Sequence, residues 1–87
     1  MLDINNIWER IIKHEGEQFT TVRNISFTYT ISGDYVRTSN TEYRIYRTQF
    51  EKAIPYMQII KGPGEISKIV FGYSYVYAIL NDPRIKY

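Results

Sequence analysis

The sequence predicts an α+β domain: an N-terminal helix, a three-stranded antiparallel meander, an amphipathic central helix, a Gly-Pro-Gly loop or short hairpin, and a C-terminal helix. Three observations carry this reading. Apolar residues recur at helical spacing in residues 4–12 and again in residues 43–57. Between them, residues 25–31 alternate apolar and hydroxyl side chains, the period of a half-buried strand. Turn-forming residues, Asn24, Gly33-Asp34 and Gly62-Pro63-Gly64, punctuate the segments. A chain of 87 residues with 44% hydrophobic content is enough for one folded domain, spanning 1–87, with no linker or low-complexity stretch.

The first helix opens on Asp3, whose carboxylate suits an N-cap. Ile4, Ile7, Trp8, Ile11 and Ile12 make its apolar face. Lys13 and His14 place positive charge in the last turn, and Gly16 can supply the left-handed residue beyond it. His14 is the sole histidine, with only Glu15 and Glu17 near it in sequence, so it reads as a solvated helix end before it reads as a metal ligand.

From Gln18 to Thr38 the composition turns to β-branched and aromatic residues. Phe19 to Val22 and Ile25 to Ile31 are the first two strands, with Asn24 turning the chain between them. Ile25, Phe27, Tyr29 and Ile31 face inward, while Ser26, Thr28 and Thr30 face out. Gly33 fits the first position of a type II′ turn, and Tyr35 to Thr38 return as the third strand. With Gly33-Asp34 as the loop, Val36 falls opposite Ile31 and Arg37 opposite Thr30.

The central helix is expected from Ser39 to Met57. Ser39 and Glu42 have capping-box spacing. Tyr43, Tyr46, Phe50, Ala53, Ile54 and Met57 share one stripe at about 100° per residue. Arg44, Arg47, Thr48 and Glu51 run along its flank, as either a solvated face or an anion-contacting one. Pro55 should kink or end the helix. Gln58 to Lys61 and Ile66 to Phe71 are expected as short strands or extended segments around Gly62-Pro63-Gly64. A phosphate cradle there is disfavoured, because no P-loop pattern is present and Pro63 removes a donor. The last helix runs from Tyr75 to about Asn81, with Ser74 as N-cap, a buried stripe of Val76, Ile79 and Leu80, and Pro83 as its stop. Arg84, Ile85, Lys86 and Tyr87 read as a solvated basic tail.

Composition removes several functional classes. The chain has no cysteine, so disulfides and thiolate metal sites are excluded and a reducing, cytoplasmic compartment is expected. It contains no run of about 18 apolar residues, hence no membrane span, and its first residues lack the order of a signal peptide. No nucleophile elbow is present: Ser74 sits in Gly-Tyr-Ser-Tyr, without the second glycine. The acidic residues Asp34, Glu42, Glu51, Glu65 and Asp82 are scattered. Catalysis, cofactors and metals are therefore not expected.

The segment GYSYVYAILNDPRI, from Gly72 to Ile85, together with FTYTI and FEKAI, resembles a small α+β domain of bacteria and their mobile elements, sometimes fused to larger DNA-processing or restriction-type proteins. The resemblance covers about a third of the chain. It implies a bacterial or phage source and favours contact with nucleic acid, and it transfers no catalytic residue.

Two functions compete. In the first, Arg37, Arg44 and Arg47 with Tyr35, joined by Lys61, Lys68, Arg84 and Lys86, form a nucleic-acid-contacting surface in which cations neutralise phosphates and Tyr35 stacks. The net charge of +2 permits this reading without demanding it. In the second, nine tyrosines, unusual for this length, rim a surface for a protein partner or for self-association.

Overall fold

The computed structural model describes residues 3–86. They form four α-helices and two antiparallel sheets, an α+β fold. The first helix, α1 (Ile4–Lys13), starts as its sequence suggests: the Asn5 N–H donates to the Asp3 carboxylate at 2.8 Å. Ile7, Trp8 and Ile11 are buried and Ile4 packs at the edge, but Ile12 is 47% exposed, so the apolar face is narrower than predicted. Gly16 follows with φ 85°.

The strands differ from expectation in their grouping. The predicted run Ile25 to Ile31 changes partner at Thr28. Its first part, β2 (Ser26–Phe27), pairs with β1 (Phe19–Thr20) as a two-stranded sheet. Its second part, β3 (Tyr29–Ser32), pairs with β4 (Tyr35–Thr38). At the break, the Thr28 N–H donates to the Ser39 hydroxyl (3.0 Å) and Thr28 O accepts from the Ser39 N–H (2.8 Å). Ile25 and Val22, expected as strand residues, lie at the exposed tip of the β1–β2 hairpin, where Asn24 takes φ 67°. The β3–β4 register is the predicted one, Ile31 opposite Val36 and Thr30 opposite Arg37. Gly33 has φ 60° and Asp34 does not turn positive, the signature of a II′ turn.

The third strand of the meander is not Phe19 to Val22. It is β5 (Ile45–Tyr46), which pairs with β4 and lies within the segment predicted as the opening of the central helix. The capping box at Ser39 does not form, because Ser39 is engaged with Thr28. Residues 42 and 44–46 follow a two-residue period: Ile45 is fully buried opposite Val36, and Tyr46 points out. The helix proper, α2 (Arg47–Ala53), begins where the Arg47 N–H donates to Asp34 O at 2.7 Å. Phe50 and Ala53 are buried as predicted, Ile54 and Met57 pack at the core's edge, and Tyr43 and Tyr46 leave the stripe. The helix gives way at Pro55 to a 3-10 turn, Ile54–Tyr56.

Residues 58–71 form neither strands nor a hairpin. A 3-10 helix, Pro63–Ile66, follows Gly62, and the Glu65 carboxylate accepts from the N–H groups of Lys61 and Gly62. The backbone donors of this glycine turn already hold an anion from within the chain. Ile66 and Val70 anchor the segment in the core.

The helix α3 (Tyr73–Leu80) begins two residues earlier than predicted. Gly72, at φ 70°, precedes it, and Ser74 lies inside it. All five residues from Val76 to Leu80 are buried. This helix touches α2, β1 and the Pro63–Ile66 turn, and it buries five of its eight residues where α2 buries two of seven. The chain then turns at Asp82 into α4 (Pro83–Lys86), which packs on both α1 and α3. Pro83 thus ends one helix and starts another, where its missing N–H has no helical partner to lose. Ile85 is fully buried, and Arg10 donates to its carbonyl at 2.9 Å. The predicted solvated tail is instead a docked helical turn; Tyr87 lies outside the described residues. Aromatic contacts knit these layers: Trp8 meets Phe50 edge-on at 5.7 Å, and Phe27 meets Tyr75 at 5.0 Å. The buried Tyr29 donates its hydroxyl to Ile11 O, and burial raises its pKa.

Candidate functional site

The strand alternation divides the β3–β4–β5 sheet into two faces. Tyr29, Ile31, Val36, Thr38 and Ile45 turn toward the core. The opposite face carries Thr30 and Ser32 on β3, Tyr35 and Arg37 on β4, and Arg44 and Tyr46 at β5, of which only Tyr35 is partly covered. Continuing the β4–β5 register by one residue beyond Val36–Ile45 sets Arg37 opposite Arg44. Neither arginine has a carboxylate partner among the described residues.

Arg44 is held by aromatic neighbours. Its guanidinium carbon lies 4.9 Å from the centre of the Tyr35 ring, and Tyr35 and Tyr46 are 5.5 Å apart, centre to centre. A side-chain hydrogen bond to Tyr46, and next the nearby Tyr35, raise the pKa of Arg44. The result is a tilted stack of two rings and one guanidinium on an open surface. Beside it, Thr28, Thr30, Arg37, Ser39, Thr41 and Glu42 line a groove of about 530 Å³ that is rich in hydroxyls.

The other predicted contact residues fall elsewhere. Arg47 does not share a helical flank with Arg44; its guanidinium donates to the Asn5 side chain and lies 5.9 Å from the Trp8 ring, tying α2 to α1. Lys61 and Lys68 are exposed in the segment before α3, and no hydrogen bond or ring contact among the described residues links them to Tyr35, Arg37 or Arg44. Lys86 sits at the end of α4. Arg84 is committed to structure. It donates to both carboxylate oxygens of Asp82, to Glu17 at 3.0 Å and to Gln18 O at 2.9 Å, while lying 3.8 Å above the Phe19 ring. His14 is drawn into the same cluster through Glu17, at 2.9 Å.

Two features escaped the sequence reading. Tyr46, placed on a buried helical stripe, is the most exposed ring of the sheet stack at 41%. The signal was Ile45, the one apolar residue that a helix would have turned away from the core. The second feature is an aromatic patch: Phe71, 54% exposed, meets Tyr43 edge-on at 4.7 Å beside a groove shared with Val70, Gly72 and Tyr73.

Among the described residues no group of three or more His, Asp or Glu side chains is placed to hold a metal ion, and no helix is long and apolar enough to cross a membrane. Comparison of the chain with protein-family models, with curated proteins and with solved structures finds no match.

Proposed function

We propose that this chain is a nucleic-acid-contacting module that binds through the outer face of the β3–β4–β5 sheet, without catalysis of its own. The observation that carries the reading is the pair Arg37 and Arg44. Both lie on the same outer face just beyond the last paired residues, Val36 and Ile45, where like charges repel, and among the described residues neither forms an ion pair. A phosphate backbone supplies the missing countercharge, and release of its condensed ions adds a salt-dependent driving force. Tyr35 and Tyr46 beside the arginines offer aromatic surface to bases. The predicted contact set contracts accordingly to Tyr35, Arg37 and Arg44, joined by Tyr46. Arg47 and Arg84 hold the fold instead. Absence of cysteine favours a reducing, cytoplasmic setting for such a module.

Fluorescence anisotropy with labelled oligonucleotides at 50 and 200 mM salt tests this. Binding should weaken steeply with salt. Arg37→Ala with Arg44→Ala should flatten the log–log slope by roughly 1.4–1.8, since each phosphate contact contributes about 0.7–0.9. A folded protein with no affinity for any oligonucleotide at 50 mM salt overturns the reading.

A second reading, a protein-interaction surface, is favoured by a different observation, the exposed Tyr43–Phe71 pair with Tyr73. Exposed aromatic clusters mark contact surfaces. If it operates, Phe71→Ser should abolish a concentration-dependent increase in sedimentation coefficient. A strict monomer across micromolar concentrations removes self-association through this patch.

A further inference from the structure

We infer that the sheet face selects single-stranded nucleic acid over duplex, with bases stacking on Tyr46 and on the Arg44–Tyr35 pair. This rests on the reading above and goes further, because the geometry suits base faces as well as phosphates.

A duplex hides its base faces in the stack and presents sugar and phosphate to a flat surface. The two arginines alone would serve it. The tyrosine rings would then find no base face to lie on, because in a duplex those faces are stacked inside the helix. An unpaired strand offers both parts at once. Its phosphates meet Arg37 and Arg44, and its bases are free to lie on aromatic or guanidinium planes. The protein presents such planes. Tyr46 is 41% exposed at the edge of the sheet. The Arg44 guanidinium covers Tyr35 at 4.9 Å, so its outer side is a second stacking plane. Tyr35 and Tyr46, 5.5 Å apart, provide neighbouring positions along one strand. Thr30, Ser32, Arg37, Arg44 and Tyr46 on this face are exposed, and only Tyr35 is partly covered.

The hydroxyl groove beside Arg37 completes the fit. The Thr28 and Thr30 hydroxyls offer donors and acceptors at side-chain length, suited to base edges and to the 2′-hydroxyl of a ribose, while those of Ser39 and Thr41 are already bonded within the chain and keep only their second positions. Glu42 on its rim disfavours a second run of phosphates, so the backbone tracks the arginines and the bases or sugars enter the groove.

The test uses three fluorescein-labelled probes at 100 mM salt: a 12-nucleotide oligo(dT), a 12-nucleotide oligo(U), and a 12-base-pair duplex. The expected result is at least tenfold tighter binding of one or both single strands than of the duplex. Tyr46→Ala should weaken single-strand binding roughly tenfold, in line with the loss of one stacked base. It should leave duplex binding within about twofold, and Tyr46→Phe should restore the single-strand affinity. Circular dichroism and thermal melting establish that each variant is folded. If the duplex binds as tightly as the single strands, with dependence on Arg37 and Arg44, the selectivity is overturned while the nucleic-acid reading stands. If single strands bind more tightly but Tyr46→Ala changes nothing, the stacking platform is overturned. If no probe binds, both fall together.

Discussion

At the scale of single residues, Arg84 stands out because it does at the surface what a core residue does inside. Its guanidinium spans Asp82, Glu17 and the Gln18 carbonyl while covering Phe19, so it joins α4 to the loop before β1. The hydrogen bond from Arg84 holds the Asp82 carboxyl below its ordinary value of 3.8. His14, and next Arg84, hold Glu17 below 4.5. Stability from these carboxylates is therefore fully present above those ordinary values and is lost as pH falls below them. Urea denaturation should show a loss between pH 5 and 3 that Arg84→Ala flattens. The same substitution should lower stability at pH 7 by about 1–2 kcal/mol, a network value reduced for partial exposure. Gly72 sets a second test. Its φ of 70° disfavours any side chain, and a Cβ there would lie 2.8 Å from the Ile45 Cδ1. Gly72→Ala should destabilise by at least about 1–3 kcal/mol, read as a lower melting temperature, because strain adds to a clash between α3 and β5.

At the scale of elements, the outer edge of β3 is guarded. The Ile31 N–H donates to the Glu15 carboxylate at 2.7 Å, and Tyr29 O accepts from the Gly16 N–H at 3.0 Å. The turn after α1 thus occupies groups that would otherwise template pairing with another chain. Glu15→Ala should leave the Ile31 N–H open and produce concentration-dependent association, measurable by sedimentation, with little change in the monomer's helix content. Local sequence made some elements legible and not others, for identifiable reasons. The β3–β4 hairpin was readable because alternation and a glycine turn specify register within ten residues. For β5, residues 42–46 fit both a helical and a strand period. The choice fell to tertiary bonds, Ile45 packing opposite Val36 and Arg47 reaching Asp34 O. The α4 turn carried its own mark in Asp82-Pro83, an N-cap followed by proline at the first helical position, which reads as a stop when only the preceding helix is considered. Residues 58–71 hid their one period, the four-residue step from buried Ile66 to buried Val70, among the exposed apolar residues Ile59, Ile69 and Phe71. Of the outer sheet face, the place of Arg37 beside Thr30 was legible from strand alternation and the hairpin register; Arg44, read as a helical-flank residue, and Tyr46, read as part of a buried helical stripe, both depended on the misjudged period.

At the scale of the molecule, α3 is enclosed by elements drawn from across the chain: β1 before it, α2 before it and α4 after it. Its residues should show the slowest amide exchange of the domain, because no local opening uncovers them. Ile79→Ala, at a site with no exposure, should cost about 2–5 kcal/mol. For a domain of this size that approaches the whole of its stability, so urea titration should place much of the variant in the unfolded population at 37 °C. Variants on the outer sheet face should leave the same titration nearly unchanged. That contrast separates residues kept for packing from those available to a partner.

The bond from Arg10 to the Ile85 carbonyl joins groups 75 positions apart. Trp8 meets Phe50 and Ile11 O takes the Tyr29 hydroxyl without help from α4, but the remaining side of α1 is covered only by that last short turn. Cutting the chain before Asp82 should therefore bare that side, and the shortened domain should be digested by protease faster than one that keeps residues 82–86.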